Sequence, residues 1–398
     1  MEFVEISRRD HTMQSSTVRA GALVRSRFGA LLLLVIVTAT GCASASSAPR
    51  RLSFLGQQLV APGTMVDGTV VGGLSGITYD PDRQIYYMVS DDRSAKNPAR
   101  FYSVRIDVSP PAGLGPLRFE SVRPWLDVDG APFGPLDTAA HPPVVPPDAE
   151  GIAVDTRRQR LYWSSEGERL VEDGGAPVLA DPWIRIADFD GRYLGQFTLP
   201  DHLTTSAENR GPRQNLSLEG LTLTPSGRWL WAAMEAPLYQ DGELASEAQG
   251  ALTRLTRFDA ETGLATGQYA YPVDPVSAGP GGDNGVSDLA ALGDSSFLVI
   301  ERGFSTHNTV RIYQADIGDA EDVLHRNSFS GQPVRAVTKR LVADLTGTDD
   351  VARIDNIEGI TLGPRLYDGR QTVLLVSDDN FSPRQVTQVL AYALAFRW

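Results

Sequence analysis

The sequence predicts an all-β chain folded as a β-propeller, most simply of five four-stranded blades. Three observations predict it: a short motif recurs five times at a nearly fixed period, strand-like runs follow each copy, and no convincing amphipathic helix interrupts them. The copies are Ser75-Gly76-Ile77, Glu150-Gly151-Ile152, Glu219-Gly220-Leu221, Asp288-Leu289-Ala290 and Glu358-Gly359-Ile360, with first residues 75, 69, 69 and 70 positions apart. Each opens an apolar strand on a small or acidic residue. A polar turn and a second apolar strand follow, and that strand ends on acid at Asp91-Asp92, Glu166, Glu235, Glu301 and Asp378-Asp379.

The remaining strands follow in order. Each repeat yields four runs rich in Val, Ile, Leu, Tyr and Trp between clusters of Gly, Pro and Asp. In the second repeat they cover residues 152–155, 161–165, 183–189 and 193–199; in the third, 221–224, 229–234, 252–258 and 267–271. The fifth repeat shows only 360–362, 373–377 and 388–396. Residues 52–60 have the character of its missing fourth strand and can close the ring from the N-terminus, removing an open sheet edge. A sixth, degenerate blade is the alternative, but no spare segment is long enough for it. A period near 70 is too long for solenoid coils, and even four-strand units argue against paired sandwiches.

Ahead of the repeats, Arg19, Arg25 and Arg27 precede the apolar run 30–37 and then Ala39-Thr40-Gly41-Cys42. This is the order of a secretory signal, and the run falls short of the ~20 residues that span a bilayer. The end of it resembles a bacterial lipobox. Residues 1–41 are then a lipoprotein signal, Cys42 the lipidated residue, 42–51 a tether and 52–398 the propeller domain. The alternative is an ordinary secretory signal with an incidental cysteine. The acids before Met13 fit a signal poorly, so translation starts at Met1 or Met13. Localisation is expected to be extracytoplasmic, with the membrane touched only through the lipid.

The formal net charge of the chain is −13. Residues 1–41 hold five Arg and three acids, so the remainder carries about −15. Such a surface repels nucleic acid. With its single cysteine lipidated, the domain has no disulfide, and core burial and bound metal are left to hold it. A monomer is expected.

Loop lengths select a face. In a propeller blade the first strand starts, and the second ends, on the same face. The connections there are long: residues 129–147, 166–182, 201–215, 235–250, 274–285 and 346–356. Opposite turns are short, except for 316–333, which the repeat does not account for. Long loops on one face of a rigid scaffold carry function. The phased acids converge there: Asp91, Asp92, Glu150, Glu166, Glu219, Glu235, Asp288, Glu301, Glu358, Asp378 and Asp379. Carboxylates this close raise one another's pKa unless a cation or Arg offsets them. Oxygen ligands without His or Cys favour Ca²⁺ over zinc or copper, and Asn215, Asn284, Asn356 and Asn380 could add amide oxygens. For any one acid the alternative is a strand-end cap or an Arg partner, but chance does not phase them all to one period. Arg93, Lys96, Arg100, Arg169, Arg213, Arg302, Arg353 and Arg384 share these loops and suit phosphate or carboxylate contacts equally well.

The chain contains no Gly-x-Ser-x-Gly elbow, P-loop, dinucleotide fingerprint or zinc spacing. His202 and His307, with His141 in a Pro-rich loop, are weak general-base candidates. With these residues in hand, the chain resembles the phytase-like family described as having esterase-like activity of phytase. The resemblance covers about residues 70–395 and rests on Leu74-Ser75-Gly76-Ile77, Asp148-Ala149-Glu150-Gly151-Ile152, Leu218-Glu219-Gly220-Leu221, Ile300-Glu301-Arg302 and Arg353-Ile354-Asp355-Asn356-Ile357-Glu358-Gly359-Ile360. It implies a secreted propeller and a link to phosphoester or ester hydrolysis.

The sequence reading is thus an envelope-anchored, Ca²⁺-dependent hydrolase of small phosphoesters or esters. Glu219, Glu301, Glu358 and Asp379 are its expected ligands or water-activating bases. Asp91, Asp92, Glu150, Glu166, Glu235, Asp288 and Asp378 would surround the metal, and Arg302, Arg353, Arg93 and Arg213 would hold substrate. Two other readings are kept: a metal-stabilised surface propeller that binds a partner without turnover, and a lactonase-like propeller with one metal held by a single Glu and several amides.

Overall fold

The computed structural model describes residues 52–109, 113–172 and 174–395. The proposed signal, Cys42 and the tether lie outside them. Five four-stranded antiparallel sheets stand in a ring. In order, the blades comprise Leu74–Asp80, Ile85–Ser90, Arg100–Arg105 and Arg118–Pro124; then Ala149–Asp155, Arg160–Ser165, Trp183–Ala187 and Tyr193–Gln196; then Leu218–Leu223, Trp229–Met234, Ala251–Asp259 and Ala265–Val273; then Gly285–Ala291, Ser296–Phe304, Asn308–Asp316 and Thr338–Asp344. The fifth holds Asn356–Arg365, Gln371–Asp378 and Gln388–Leu394, with Leu52–Leu59 as its outer strand, paired antiparallel from Leu52↔Leu394 to Leu59↔Gln388. Helix is limited, among the described residues, to the 3-10 turn Asp201–Leu203.

Burial is organised between blades. Five of the apolar clusters each join two neighbouring blades, as in Trp163 with Tyr87 and Val89, Leu221 with Tyr162, Trp231 with Phe297, Ile300 with Leu375, and Met88 with Val376. Trp125 stacks on Trp163 with ring centroids 4.3 Å apart. This is the packing expected of twisted sheets whose two faces are both covered, and it explains why the middle strands read as near-continuous apolar runs.

The motif has a structural cause. In every blade the pairing of the first two strands slips by one residue at the motif, a β-bulge, between Leu74 and Gly76, Ala149 and Ile152, Leu218 and Leu221, Val286 and Asp288, and Ile357 and Gly359. A bulge bends the strand and re-aims one side chain. The following glycine lies where the next blade's inner strand passes: a Cβ on Gly151 would sit 2.6 Å from the Glu219 carbonyl oxygen, and one on Gly220 2.7 Å from Asp288 Cα. Both distances are too short for a side chain.

The long segment between Asp316 and Thr338 also has a physical role. Val323 N–H donates to the Gln268 carbonyl (2.7 Å) and Val337 N–H to that of Ala270 (2.9 Å), while Asp322 Oδ1 accepts from Gln268 N–H (3.1 Å). Val323 and Phe329 bury Ala270 beneath them. The segment therefore covers the outer edge of the third blade, which would otherwise present unpaired backbone groups. Three small hairpins fall below the sequence signal because their arms are only two or three residues long: Met65–Val66 with Thr69–Val70, Val108–Ser109 with Gly113–Leu114, and Glu168–Leu170 with Val178–Ala180.

Candidate functional site

The bulges fix which residues are equivalent. The re-aimed residue is Ser75, Glu150, Glu219, Ser287 and Glu358 in blades one to five. The strand-two residue beside it, one past the partner of the preceding residue, is Asp91, Glu166, Glu235, Arg302 and Asp378. Blade four thus departs from the sequence reading by one residue on each strand. Asp288 stands at the glycine position, and Arg302, not Glu301, stands at the acid position.

Around the axis seven of these residues line a cavity of about 330 Å³ with Arg93, Asp148, Asn215, Asp283 and Asn380. Asp91, Glu150, Glu219, Glu235, Arg302, Glu358 and Asp378 all face it. Carboxylate oxygens of Asp148, Glu150 and Glu166 lie within 4.8 Å of one another, as do those of Glu166, Glu219 and Glu235. Either group could hold a metal ion, with Glu166 shared between them.

The electrostatics are one-sided. Burial and then the neighbouring acids push the carboxyls of Asp91, Glu150, Glu219 and Asp378 well above the usual carboxylate range. Burial and Asp148 do the same to Glu166, although it accepts the Ser217 N–H. Burial raises Asp148 to about 6 and Glu235 to about 7, opposed by Arg93 and Arg302 respectively. Glu358 is also raised by burial, against Arg302 and an Asn356 Nδ2 bond of 2.8 Å. Two arginines balance part of this charge. Arg302 lies 3.1 Å from Glu358 and 3.6 Å from Glu235; Arg93 lies 3.5 Å from Asp148 and bonds Glu168. In both guanidinium groups the Nε–H is buried without an acceptor.

Other expected site residues are placed elsewhere. Asp288 accepts N–H bonds from Leu221 (3.2 Å), Leu289 (2.8 Å) and Ile360 (2.8 Å), joining blades three, four and five through one carboxyl. Glu301 turns between blades three and four. It accepts from Tyr271 Oη (2.9 Å), Asp274 N–H (2.9 Å) and Asn284 Nδ2 (3.1 Å) and pairs with Lys339. Asp92 pairs with buried Arg100 (2.6 Å) and accepts the Ala95, Lys96 and Asn97 amides, which shapes its loop. Asp379 Oδ1 is held by the N–H groups of Gly73 (2.9 Å) and Phe381 (3.0 Å). Arg353 pairs with Asp355 (3.0 Å), and Arg213 donates to the carbonyls of Pro237 (3.0 Å) and Gly242 (2.8 Å). His202 is engaged with Gln268 (2.8 Å). The structure adds Asp148, Asp283 and Glu168 to the charged groups in and around the cavity. Asp148 was visible two residues before Glu150 in its own motif.

The chain belongs to the phytase-like family described as having esterase-like activity of phytase, which matches residues 69–381. None of the curated proteins compared with it matches. Among solved structures it is similar to a mannose phosphorylase from Leishmania mexicana in complex with phosphate ion, 12% identical over 85% of this chain and 88% of that one, with a TM-score of 0.41. It is also similar to a periplasmic gluconolactonase from Pseudomonas aeruginosa, 13% identical over 87% and 94% of the two chains, with a TM-score of 0.34.

Glu301 provides a test of this placement. Its side chain is 1% exposed and that of its Lys339 partner 10%. Removing one member of so buried a pair costs about 3 kcal/mol or more. Glu301→Gln should therefore lower the urea midpoint strongly and respond to added calcium as the parent does. A variant as stable as the parent but with an altered calcium response would place Glu301 with the axial carboxylates instead.

Proposed function

We propose that this protein is a Ca²⁺-dependent phosphoester hydrolase whose reaction centre is the axial cavity. The observation that carries the reading is the charge imbalance there: nine carboxyls, Asp148 and Asp283 included, crowd a space that holds two arginines. Oxygen donors in that number and irregular arrangement fit Ca²⁺ better than the small, octahedral Mg²⁺. Their number exceeds what a single-Glu-plus-amides centre uses, which favours the phosphoester reading over the lactonase-like one. Bound calcium would polarise a phosphoryl oxygen and lower the pKa of an attacking water.

Within that frame the side chains divide the work. Asp148, Glu150, Glu166, Glu219 and Glu235 are the ligand groups. Glu358 belongs to neither three-carboxylate group, faces the cavity, and is fixed by Asn356 and Arg302. It is the carboxylate assigned to accept a proton from water. Arg302 and Arg93, each with an unmet donor, are suited to phosphoryl oxygens. Glu358→Gln should reduce turnover of aryl phosphates about 100-fold, in the range of a lost general base, while calcium still raises the melting temperature. If purified protein with calcium turns over no phosphoester, lactone or carboxyl ester, the non-catalytic binding propeller takes the place of this reading.

The raised pKa values set the pH dependence. Folded, metal-free protein holds protons on these carboxyls more tightly than the unfolded chain does. Stability is therefore full below the ordinary carboxylate range of about 4 to 4.5 and declines as pH rises through the folded values, about 6 for Asp148 and about 7 for Glu235. In chelator, the melting temperature should fall between about pH 5 and pH 8. Calcium competes with these protons and binds the folded state, so it should restore stability more at pH 8 than at pH 5. A melting temperature indifferent to chelator and calcium at both pH values would leave the acids without a metal.

Anchoring through Cys42 is part of the proposal. The outer strand of blade five runs from Leu52 at the end remote from the cavity to Leu59 beside Gln388, on the cavity side. A tether ending at Leu52 thus joins the face opposite the site. Cys42→Ser should shift the protein from the membrane fraction to the soluble one, and unchanged fractionation would argue for an ordinary signal.

A further inference from the structure

A second cavity, about 430 Å³, lies beside the axial one on the same face, between blades five and one. Its wall is mostly apolar: Val60, Val70, Val71, Phe381, Pro383 and Val386 contribute. One cation enters it. Lys96 Nζ lies 5.2 Å from the Phe381 ring centroid, is exposed, and has no ion-pair partner among the described residues. The other lysine, Lys339, is locked between Asp274 and Glu301. Asp379 also lines the second cavity, but its Oδ1 is turned to the backbone amides of Gly73 and Phe381.

From Asp378 to Phe381 successive residues alternate between the two cavities. Asp378 and Asn380 line the axial cavity, and Asp379 and Phe381 line the second. Asn380 and Phe381 both hold positive φ, 45° and 49°, a conformation that costs a bulky residue energy and is kept where the surroundings demand it. Gly72 and Gly73 make room for this arrangement. A Cβ on Gly72 would lie 2.8 Å from the Phe381 ring, and one on Gly73 would overlap Asp91 Oδ1 and lie 2.7 Å from the same ring. The carboxylate of one cavity and the aromatic wall of the other thus flank the same glycine.

We propose that this second cavity is the subsite for the alcohol part of the substrate, and that it selects an apolar, flat group bearing one negative charge, held by Phe381 and Lys96. The proposal rests on the phosphoester reading for the reaction and names its substrate class: phosphomonoesters of acidic aryl alcohols. A polyphosphorylated substrate is poorly served here. The unmet Nε–H groups of the two axial arginines suit a single phosphoryl group, and the adjoining space adds only one cation, within an apolar wall. An aromatic acid matches both features, since its ring buries against Phe381 and the valines while its charge meets an ammonium that has no ion-pair partner among the described residues.

The test separates this claim from the one it rests on. The fluorescent probe 6-hydroxy-2-naphthoate has the ring and the carboxylate but no phosphate. It should bind the calcium-loaded, full-length protein whether or not turnover occurs. Lys96 is exposed, so Lys96→Gln should fold as the parent does and weaken this binding at least tenfold, while Glu358→Gln should not weaken it. With 6-phosphonooxy-2-naphthoate as substrate, the preference in kcat/KM over phenyl phosphate should collapse in Lys96→Gln. Absence of turnover with Lys96-dependent naphthoate binding would remove the hydrolase reading and leave the subsite. Naphthoate binding that is absent, or equal in parent and Lys96→Gln, would overturn the subsite. So would stronger binding of inositol hexakisphosphate that depends on Lys96.

Discussion

The close passage of the five inner strands around the axis governs the rest of the molecule. At four of the five crossings a neighbouring strand occupies the volume a side chain would need, which is why glycine follows the re-aimed residue in blades one, two, three and five. The bulge that allows the crossing also swings the preceding side chain toward the axis. Packing and chemistry are therefore coupled: the geometry that lets blades meet is the geometry that gathers Glu150, Glu219 and Glu358. Where that position is serine, the hydroxyl is spent on the neighbouring blade, with Ser75 Oγ donating to the Ala149 carbonyl (3.0 Å) and Ser287 Oγ to that of Ile357 (3.4 Å). Blade four substitutes aspartate for glycine and uses its carboxyl to bind the amides of two neighbours as well as its own.

Gathering carboxylates is costly, and the magnitudes decide how the charge must be handled. Two unit charges 4 Å apart repel by about 4 kcal/mol at an effective dielectric near 20, and the axial group contains several such pairs. A folded domain is stable by only about 5–15 kcal/mol, so the full set cannot be ionised without compensation. Arg302 and Arg93 relieve Glu235, Glu358 and Asp148. Protons can relieve the others, at the cost of a protein that weakens as pH rises. A divalent cation relieves them without that dependence. Since the domain has no disulfide to fall back on, an ion bound there would serve the fold as well as the proposed chemistry.

The repeat, the strand order and the face on which the acids gather were legible in the sequence because they depend on local composition and period. The limit of that reading is clearest in blade four. Ser287-Asp288-Leu289 and Ile300-Glu301-Arg302 fit the acidic pattern if slipped by one residue, and only strand pairing shows that Asp288 occupies a glycine site and that Arg302 takes the acid's place. Glu301 illustrates the consequence. A one-residue slip reverses a strand side chain's face, which moves it from the axis to the interface with Tyr271 and Lys339. Arg353 and Arg213 show a different limit. They lie on the expected loops, but a loop sequence does not reveal that a guanidinium will meet a local carboxylate or backbone carbonyls. The edge-covering segment after Asp316 was unreadable because its partner is an adjacent blade's outer strand, far away in the chain.

The departure of blade four from the repeat also gives the site a direction. Five identical blades would place an acid at every second-strand position and leave a symmetric, purely anionic ring, suited to holding a cation and little else. Arg302 breaks that symmetry. The three-carboxylate groups lie with blades two and three, Arg302 spans Glu235 and Glu358 from the fourth blade, and the apolar cavity with Lys96 opens between the fifth and the first. A cation and an anionic group can then occupy opposite sides of one small space, with room beyond for an apolar remainder. The proposed hydrolysis of a charged ester would use that separation, and its source is the second strand of blade four.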